Sequence, residues 1–218
     1  MIEEGMLPSL TLEATGRPLR TKLLHGVSST ALKSYHLLLM KFISLIGALS
    51  TPGQWPAGPM QAWALRRMGV KCSSRQVWIG PRISIDNPSC LELGARVVIG
   101  PDSRLTAYTR IEIGDDFLSA PGLYINTGAH DVRTLAPTFA PVVIGAKVRC
   151  GTRVTICSGV KIGNGATIGA GALVLHNIPA YHLAVGVPCK PLKEIPQTER
   201  RWSNFRREPP ARRTDSPS

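Results

Sequence analysis

Residues 144–179 read in sixes: IGAKVR (144–149), CGTRVT (150–155), ICSGVK (156–161), IGNGAT (162–167), IGAGAL (168–173) and VLHNIP (174–179). The first position of each hexad is Ile144, Cys150, Ile156, Ile162, Ile168 or Val174. The fifth is Val148, Val154, Val160, Ala166, Ala172 or Ile178. A period of six fits neither the 3.6-residue period of an amphipathic helix nor the two-residue alternation of a strand. It fits a solenoid in which every short strand is followed by a turn. Gly145, Gly151, Gly163 and Gly169 follow the first aliphatic residue, at corners where a Cβ would crowd the bend.

Upstream the beat starts at Val77 and is less regular. Ile79-Gly80, Leu93-Gly94, Ile99-Gly100 and Ile113-Gly114 repeat the same aliphatic-small step at intervals of 14, 6 and 14 residues, and Ser119 and Ile125 continue it. Two extra residues therefore interrupt the register twice, as outward loops at solenoid corners do. Between Ile125 and Ile144 the beat is lost. A loop over 129–141 leaves the solenoid there and carries His130, Asp131 and Arg133. Three hexads close one triangular coil, and coils stack at about 4.8 Å, the ordinary strand separation. The expected fold is all-β: a parallel β-helix, triangular in section, with about five coils over residues 77–179.

The flanks read differently. Residues 1–76 form an extension, irregular over 1–28 and helical over 29–50, with Ser28 to Thr30 as N-cap candidates. In that helix Lys33, His36, Lys41, Ser44 and Gly47 fall on a narrow polar stripe and most of the remaining surface is apolar. The favoured expectation is packing against the body, with an interfacial membrane helix as the functional alternative. TPGQWPAGP (51–59) breaks the helix, and a second one runs from Pro59 to Met68 with Gly69 as its stop. Trp55 and Trp63 are expected to pack this cap. A short segment, 180–195, follows the solenoid. Residues 196–218 hold three Arg pairs among Pro and Ser and read as a disordered basic tail.

Composition narrows the partners. The 26 Lys and Arg against 14 Asp and Glu leave a net charge of +12, which favours anionic partners. Nucleic acid is the weakest of these, since no binding motif or aromatic-rich basic surface is present. Five scattered cysteines without a CxxC argue for a reducing compartment and against a disulfide framework. The N-terminus MIEEGMLPSL lacks the features of a secretory signal, so a cytoplasmic location is expected.

With the hexads go a loop opening YINTGAHD (124–131) and an ending NIPAYHLAVGVPCKPLK (177–193). Together they resemble the hexapeptide-repeat acyltransferases, in particular the maltose, galactoside and colanic-acid-type O-acetyltransferases. The resemblance covers about residues 30–193 and is strongest from 77. It implies a left-handed β-helix, a homotrimer with active sites between subunits, and acetyl transfer from acetyl-CoA to a hydroxyl, usually of a sugar. Thr127-Gly128-Ala129-His130-Asp131 matches the context of the family's catalytic His.

The chemistry of that His can be argued independently. A thioester is an activated acyl donor, whereas a sugar hydroxyl is a poor nucleophile that needs a base. An imidazole titrates close to neutral pH. His130 is the expected general base, Asp131 the residue to orient it, and the Gly128 N–H a candidate oxyanion donor. The small residues Gly151, Thr152, Gly169 and Ala170 leave backbone approachable for the pantetheine arm. Lys190 and Lys193, after the Gly186-Val187-Pro188-Cys189-Lys190 turn, are placed by the resemblance against the CoA phosphates.

Two departures from the family stand out. Val148-Arg149-Cys150-Gly151 replaces a VWIG step, and Leu175-His176 replaces Thr-Lys, a loss that either weakens cofactor binding or leaves His176 to take the place of the lysine. No metal is expected: a γ-type carbonic anhydrase needs three His from adjacent coils, and only His130 is well placed for that. The alternative from another class is a non-catalytic trimeric scaffold. The acceptor is expected to be a saccharide, lipid-linked in one version of the hypothesis, with peripheral contact at the inner membrane face.

Overall fold

The computed structural model describes residues 29–50 and 57–196. The expectations for residues 1–28, for Trp55 and most of the 51–59 break, and for the Arg-rich tail lie outside them. The chain from His36 onward forms one compact unit, which holds the solenoid.

The short strands of the solenoid pair in parallel with their counterparts one coil away, giving three sheets that are the three faces of a prism. The first face stacks Lys71–Cys72, Leu91–Leu93, Ile111–Ile113, Val142–Ile144 and Lys161–Ile162. The second stacks Val77–Ile79, Val97–Ile99, Leu118–Ser119, Arg149–Cys150, Thr167–Ile168 and His182–Val185, and Lys190–Glu194 returns antiparallel on the last of these. The third stacks Ser84–Asp86, Arg104–Thr106, Tyr124–Asn126, Thr155–Ile156 and Leu173–Val174. Five coils are complete. A sixth begins where Ile178 bridges Ile162. The first strand, Lys71–Cys72, lies ahead of the Val77 at which the beat becomes visible in sequence.

All twelve aliphatic positions of the 144–179 hexads are buried. The physical cause is the triangular section: the first and fifth positions of each hexad point to the axis, and the residues between them turn the corner. The glycine after the aliphatic has a specific reason. A Cβ on Gly151 would sit 2.6 Å from the backbone nitrogen of Ala170, one coil above, closer than any carbon–nitrogen contact tolerates.

The irregularities upstream share one place. Ile79 pairs with Ile99, Ile85 with Leu105 and Leu93 with Ile113, each twenty residues on. The third-face members Ile85 and Leu105, which the 14-residue intervals skip over, keep the six-residue beat. Both extra pairs of residues thus fall at the edge where the third face turns into the first. The 127–141 excursion leaves from the same edge, since Ile125 pairs with Ile156 and Ile113 with Ile144. The shortened step from Val174 to Ile178 is there too.

Two helices close the N-terminal end: α1 (Ser29–Leu49) and α2 (Ala57–Arg67). The second starts before Pro59 and ends one residue before the expected Met68. Gly69 stops it at a φ of +99°, a conformation that suits glycine. Gln61, fully buried, ties the cap together: its amide donates to the carbonyls of Ile43 and Ile79 and its Oε1 accepts the Ile79 N–H. On α1 the packed side is Leu39, Ile43 and Gly47, and Ser44 Oγ accepts the Arg82 N–H at 2.6 Å. The polar-stripe residues Ser44 and Gly47 thus face the prism, because a close helix–sheet approach needs a residue without a Cβ. Large apolar residues are left outside. Trp63 is likewise half exposed, edge-on to Phe42 with the Arg67 guanidinium over its ring.

Candidate functional site

The 127–141 excursion is an antiparallel hairpin. Gly128–His130 pairs with Pro137–Phe139, His130 standing opposite Pro137. The strand continues almost directly from Tyr124–Asn126, so the third face projects one strand beyond the prism and puts the exposed His130 near its end.

The base of the hairpin is held from three sides. Thr127 is fully buried; its N–H donates to the Thr106 carbonyl and its hydroxyl accepts the Thr109 N–H at 3.0 Å. Ser158, one coil above, donates its hydroxyl proton to the Thr127 carbonyl at 2.9 Å and accepts the Ala140 N–H at 3.1 Å. One hydroxyl therefore clasps both feet. Tyr108 lies beneath, its ring 5.4 Å from Phe139 and so close to Gly128 that a Cβ there would meet it at 2.6 Å.

Asp131 serves the turn. Its Oδ1 accepts the N–H groups of Thr134 (2.8 Å) and Arg133 (2.9 Å) and the Thr134 hydroxyl. The Thr134 amide first, then the Arg133 amide and the Thr134 hydroxyl, hold its carboxyl below the usual range. Asp131 is the residue expected to orient the imidazole; among the described residues its carboxylate is hydrogen-bonded to its own turn and not to the His130 ring. The physical reason is local, since an Asp that opens a tight turn satisfies the nearest backbone donors first. The Gly128 N–H is also engaged, donating to Asn126 Oδ1 at 2.9 Å.

The other predicted residues divide between two edges. Gly151, Thr152, Gly169 and Ala170 line the edge between the second and third faces in coils four and five, where the Gly171 N–H donates to the Thr152 carbonyl. Lys190 joins them, because it pairs with Val185, whose side chain packs on Gly169. Lys193 pairs with Leu183, further along the same return strand. His176 belongs to the opposite edge of the third face, two coils above the hairpin and about 10 Å from its level at ordinary strand separation. Lysine, glycine and small residues thus form one ledge, and the two histidines share the next edge.

Arg149 points outward on the second face between Leu118 and Thr167. Burial lowers its pKa and the nearby Asp116 carboxylate opposes that. A cavity of about 580 Å³ lies elsewhere, against the first face of coils one to three, lined by Lys71, Glu92, Glu112 and Asp115 among others. It contains none of the predicted residues. Among the described residues no group of three or more His, Cys, Asp or Glu is arranged to hold a metal ion.

The prism, the hairpin at one edge and the antiparallel return strand define a hexapeptide-repeat β-helix, and known proteins share it. No protein-family model matches the sequence. The chain is 35% identical over 127 residues to a Mycobacterium tuberculosis protein named probable acetyltransferase, covering 55% of this chain and 42% of that one. It is 29% identical over 130 residues to galactoside O-acetyltransferase of Escherichia coli, covering 57% and 64%. The chain thus spans less than two thirds of each of these relatives. Among solved structures, a maltose O-acetyltransferase from Clostridium difficile superposes with a TM-score of 0.62 at 27% identity, over 76% of this chain and 89% of that one. A galactoside acetyltransferase in complex with coenzyme A superposes with a TM-score of 0.60 at 22% identity, over 84% and 94%, and speaks for the fold. These likenesses show the fold of this chain to be a left-handed β-helix, shared with proteins named O-acetyltransferase.

Proposed function

We propose that this protein transfers acetyl from acetyl-CoA to a hydroxyl of a saccharide, with His130 as general base. The observation that carries the reading is the hairpin. In an otherwise regular prism the one long excursion of the described residues is clamped at its base by part-buried hydrogen bonds and presents a single imidazole near its end. His130 removes the hydroxyl proton as the acceptor oxygen attacks the thioester carbonyl. The C–S bond then breaks, and the imidazolium returns the proton to the departing thiolate. Pantetheine lies along the Gly151–Gly169 ledge and the CoA phosphates meet Lys190, with Lys193 further along the strand. The relatives named acetyltransferase, and the coenzyme A bound to a protein of this fold, support that assignment.

The proposal includes a homotrimer, and the separation of ledge and base within one chain supports an assembly. Gly151 stands at the corner before the third-face strand Thr155–Ile156 and Ser158 at the corner after it, so the width of the third face separates them. Ledge and base therefore lie a face apart in one chain, and a compact site takes the ledge of one copy and the hairpin of its neighbour. The hairpin also exposes Val132 (91%), Leu135 and Phe139, apolar surface that a neighbouring copy would cover.

The test is release of free thiol from acetyl-CoA with candidate acceptor sugars. His130→Ala is expected to lower the rate by about 10²–10⁴ with the oligomer unchanged by light scattering. Full activity in that variant sinks the assignment of the base. Absence of thiol release with every acceptor sinks the reaction.

A further inference from the structure

The first helix presents an outer face that nothing in the prism covers. From His36 onward its packed residues are Leu39, Ile43 and Gly47. Leu37, Leu38, Lys41, Leu45, Ala48 and Leu49 occupy the opposite arc. At 100° per residue they fall within about a third of the helix circumference. Leu38 is 65% exposed, Leu45 57% and Leu49 76%. Beside this arc Phe42 meets Trp63 of α2 edge-on at 6.4 Å, so the exposed Trp63 and Met60 extend the same apolar surface.

The charge on this surface has one sign. Residues 36–70 contain no Asp or Glu, while Lys41 stands inside the leucine arc and Arg66 and Arg67 end α2. Arg67 lies with its guanidinium 5.7 Å from the centroid of the Trp63 ring. A second copy docking through this face would bring cations against cations. An anionic lipid surface would accept both parts at once, leucines and tryptophan at the acyl boundary and cations among the headgroups. No described helix is long and apolar enough to cross a membrane, so the geometry is that of a helix lying in the interface.

We infer that the α1–α2 cap docks the protein on an anionic membrane surface through Leu38, Leu45, Leu49 and Trp63, with Lys41 and Arg67 supplying the charge. The inference stands on the cap alone and does not depend on the reaction proposed for the prism. Combined with that reaction, it would hold the protein at a surface where lipid-linked saccharides are presented.

The experiment is co-sedimentation of the full chain with phosphatidylglycerol–phosphatidylcholine vesicles and with pure phosphatidylcholine vesicles, at low and at high salt. Binding is expected on the anionic vesicles and weakened by salt. Leu38→Ser with Leu45→Ser is expected to lower the partition coefficient by at least about tenfold, as is Lys41→Glu with Arg67→Glu. Unchanged circular dichroism and oligomer size in these variants show that the fold is kept. A tail variant with the Arg pairs at 200–201, 206–207 and 212–213 changed to Ser separates the other cationic segment. Failure to bind anionic vesicles overturns the inference. So does binding that only the tail variant removes, or a leucine variant that changes oligomer size and not vesicle binding. Thiol-release activity in solution stays unchanged in the leucine variant if both proposals hold, and its loss without loss of binding counts against the docking face.

Discussion

Ser158 shows how much one side chain decides at this site. Its hydroxyl bridges Thr127 and Ala140, the two feet of the hairpin, from the coil above. Ser158→Ala removes that donor while the Ala140 N–H still reaches the Thr127 carbonyl at 3.0 Å, so the cost is about 0.5–1.5 kcal/mol, that of one net hydrogen bond. The amides of residues 128–140 are then expected to exchange faster with deuterated solvent while those of the 144–179 coils do not. Equal exchange in both places would mean that the hairpin holds itself. Nothing in the sequence marked Ser158, because the third hexad position is occupied by residues as different as Ala146, Asn164 and His176. His130 was legible, since the beat fails around it and its neighbours match a known context. The partner of Asp131 was not, because adjacency in sequence does not say whether a carboxylate faces the imidazole or its own turn.

Elements in this fold are hexads, and two of the corner glycines separate two causes of glycine. Gly151 needs the absence of a Cβ, since the Ala170 backbone occupies that space. Gly171 has nothing within 4 Å but a φ of +70°. Gly151→Asn should therefore cost about 1–3 kcal/mol through forced separation of coils four and five. Gly171→Asn should be near neutral, because Asn tolerates the left-handed region. Thermal denaturation of the two variants checks this, and equal losses would overturn the distinction. Left-handed corners also explain the bidentate ladders. Arg82 lies on Asp102 and Arg96 on Asp116, all four at positive φ and joined through paired nitrogen–oxygen contacts of 2.6–2.8 Å. The partner one coil away offsets part of the backbone cost, though exposed pairs of this kind contribute little.

For the molecule as a whole, the five cysteines are free thiols, and the two most buried lie near the last coils. Burial first, and then the neighbouring Cys189, pushes the Cys150 thiol up to about 12; burial also raises Cys189. In the unfolded chain such a thiol ionises near 9.0. The unfolded state therefore loses protons first as pH rises, and stability falls from about pH 9 toward 12. Cys150→Val is expected to flatten that alkaline slope in urea titrations, and an identical slope in the variant would show that other groups set it. The +12 charge reads differently after folding: on the α1–α2 cap cations border exposed apolar surface, whereas along the prism Arg82, Arg96, Arg104 and Arg110 pair with carboxylates.

By itself the sequence determined the repeat, the inward residues of every late hexad, the place where the solenoid is interrupted and the imidazole in the interruption. It could do so because each of these depends on local period, and a period of six admits one triangular winding with the same residues inside. Tertiary structure decided what depends on stacking. It put all insertions and the one shortened step on a single edge, set the Gly151–Gly169 ledge a face away from His130, assigned Asp131 to its own turn and left the leucines of α1 outside. Each of these is a relation between residues a coil or more apart, set by which corner faces which, and the order of residues along the chain does not carry it.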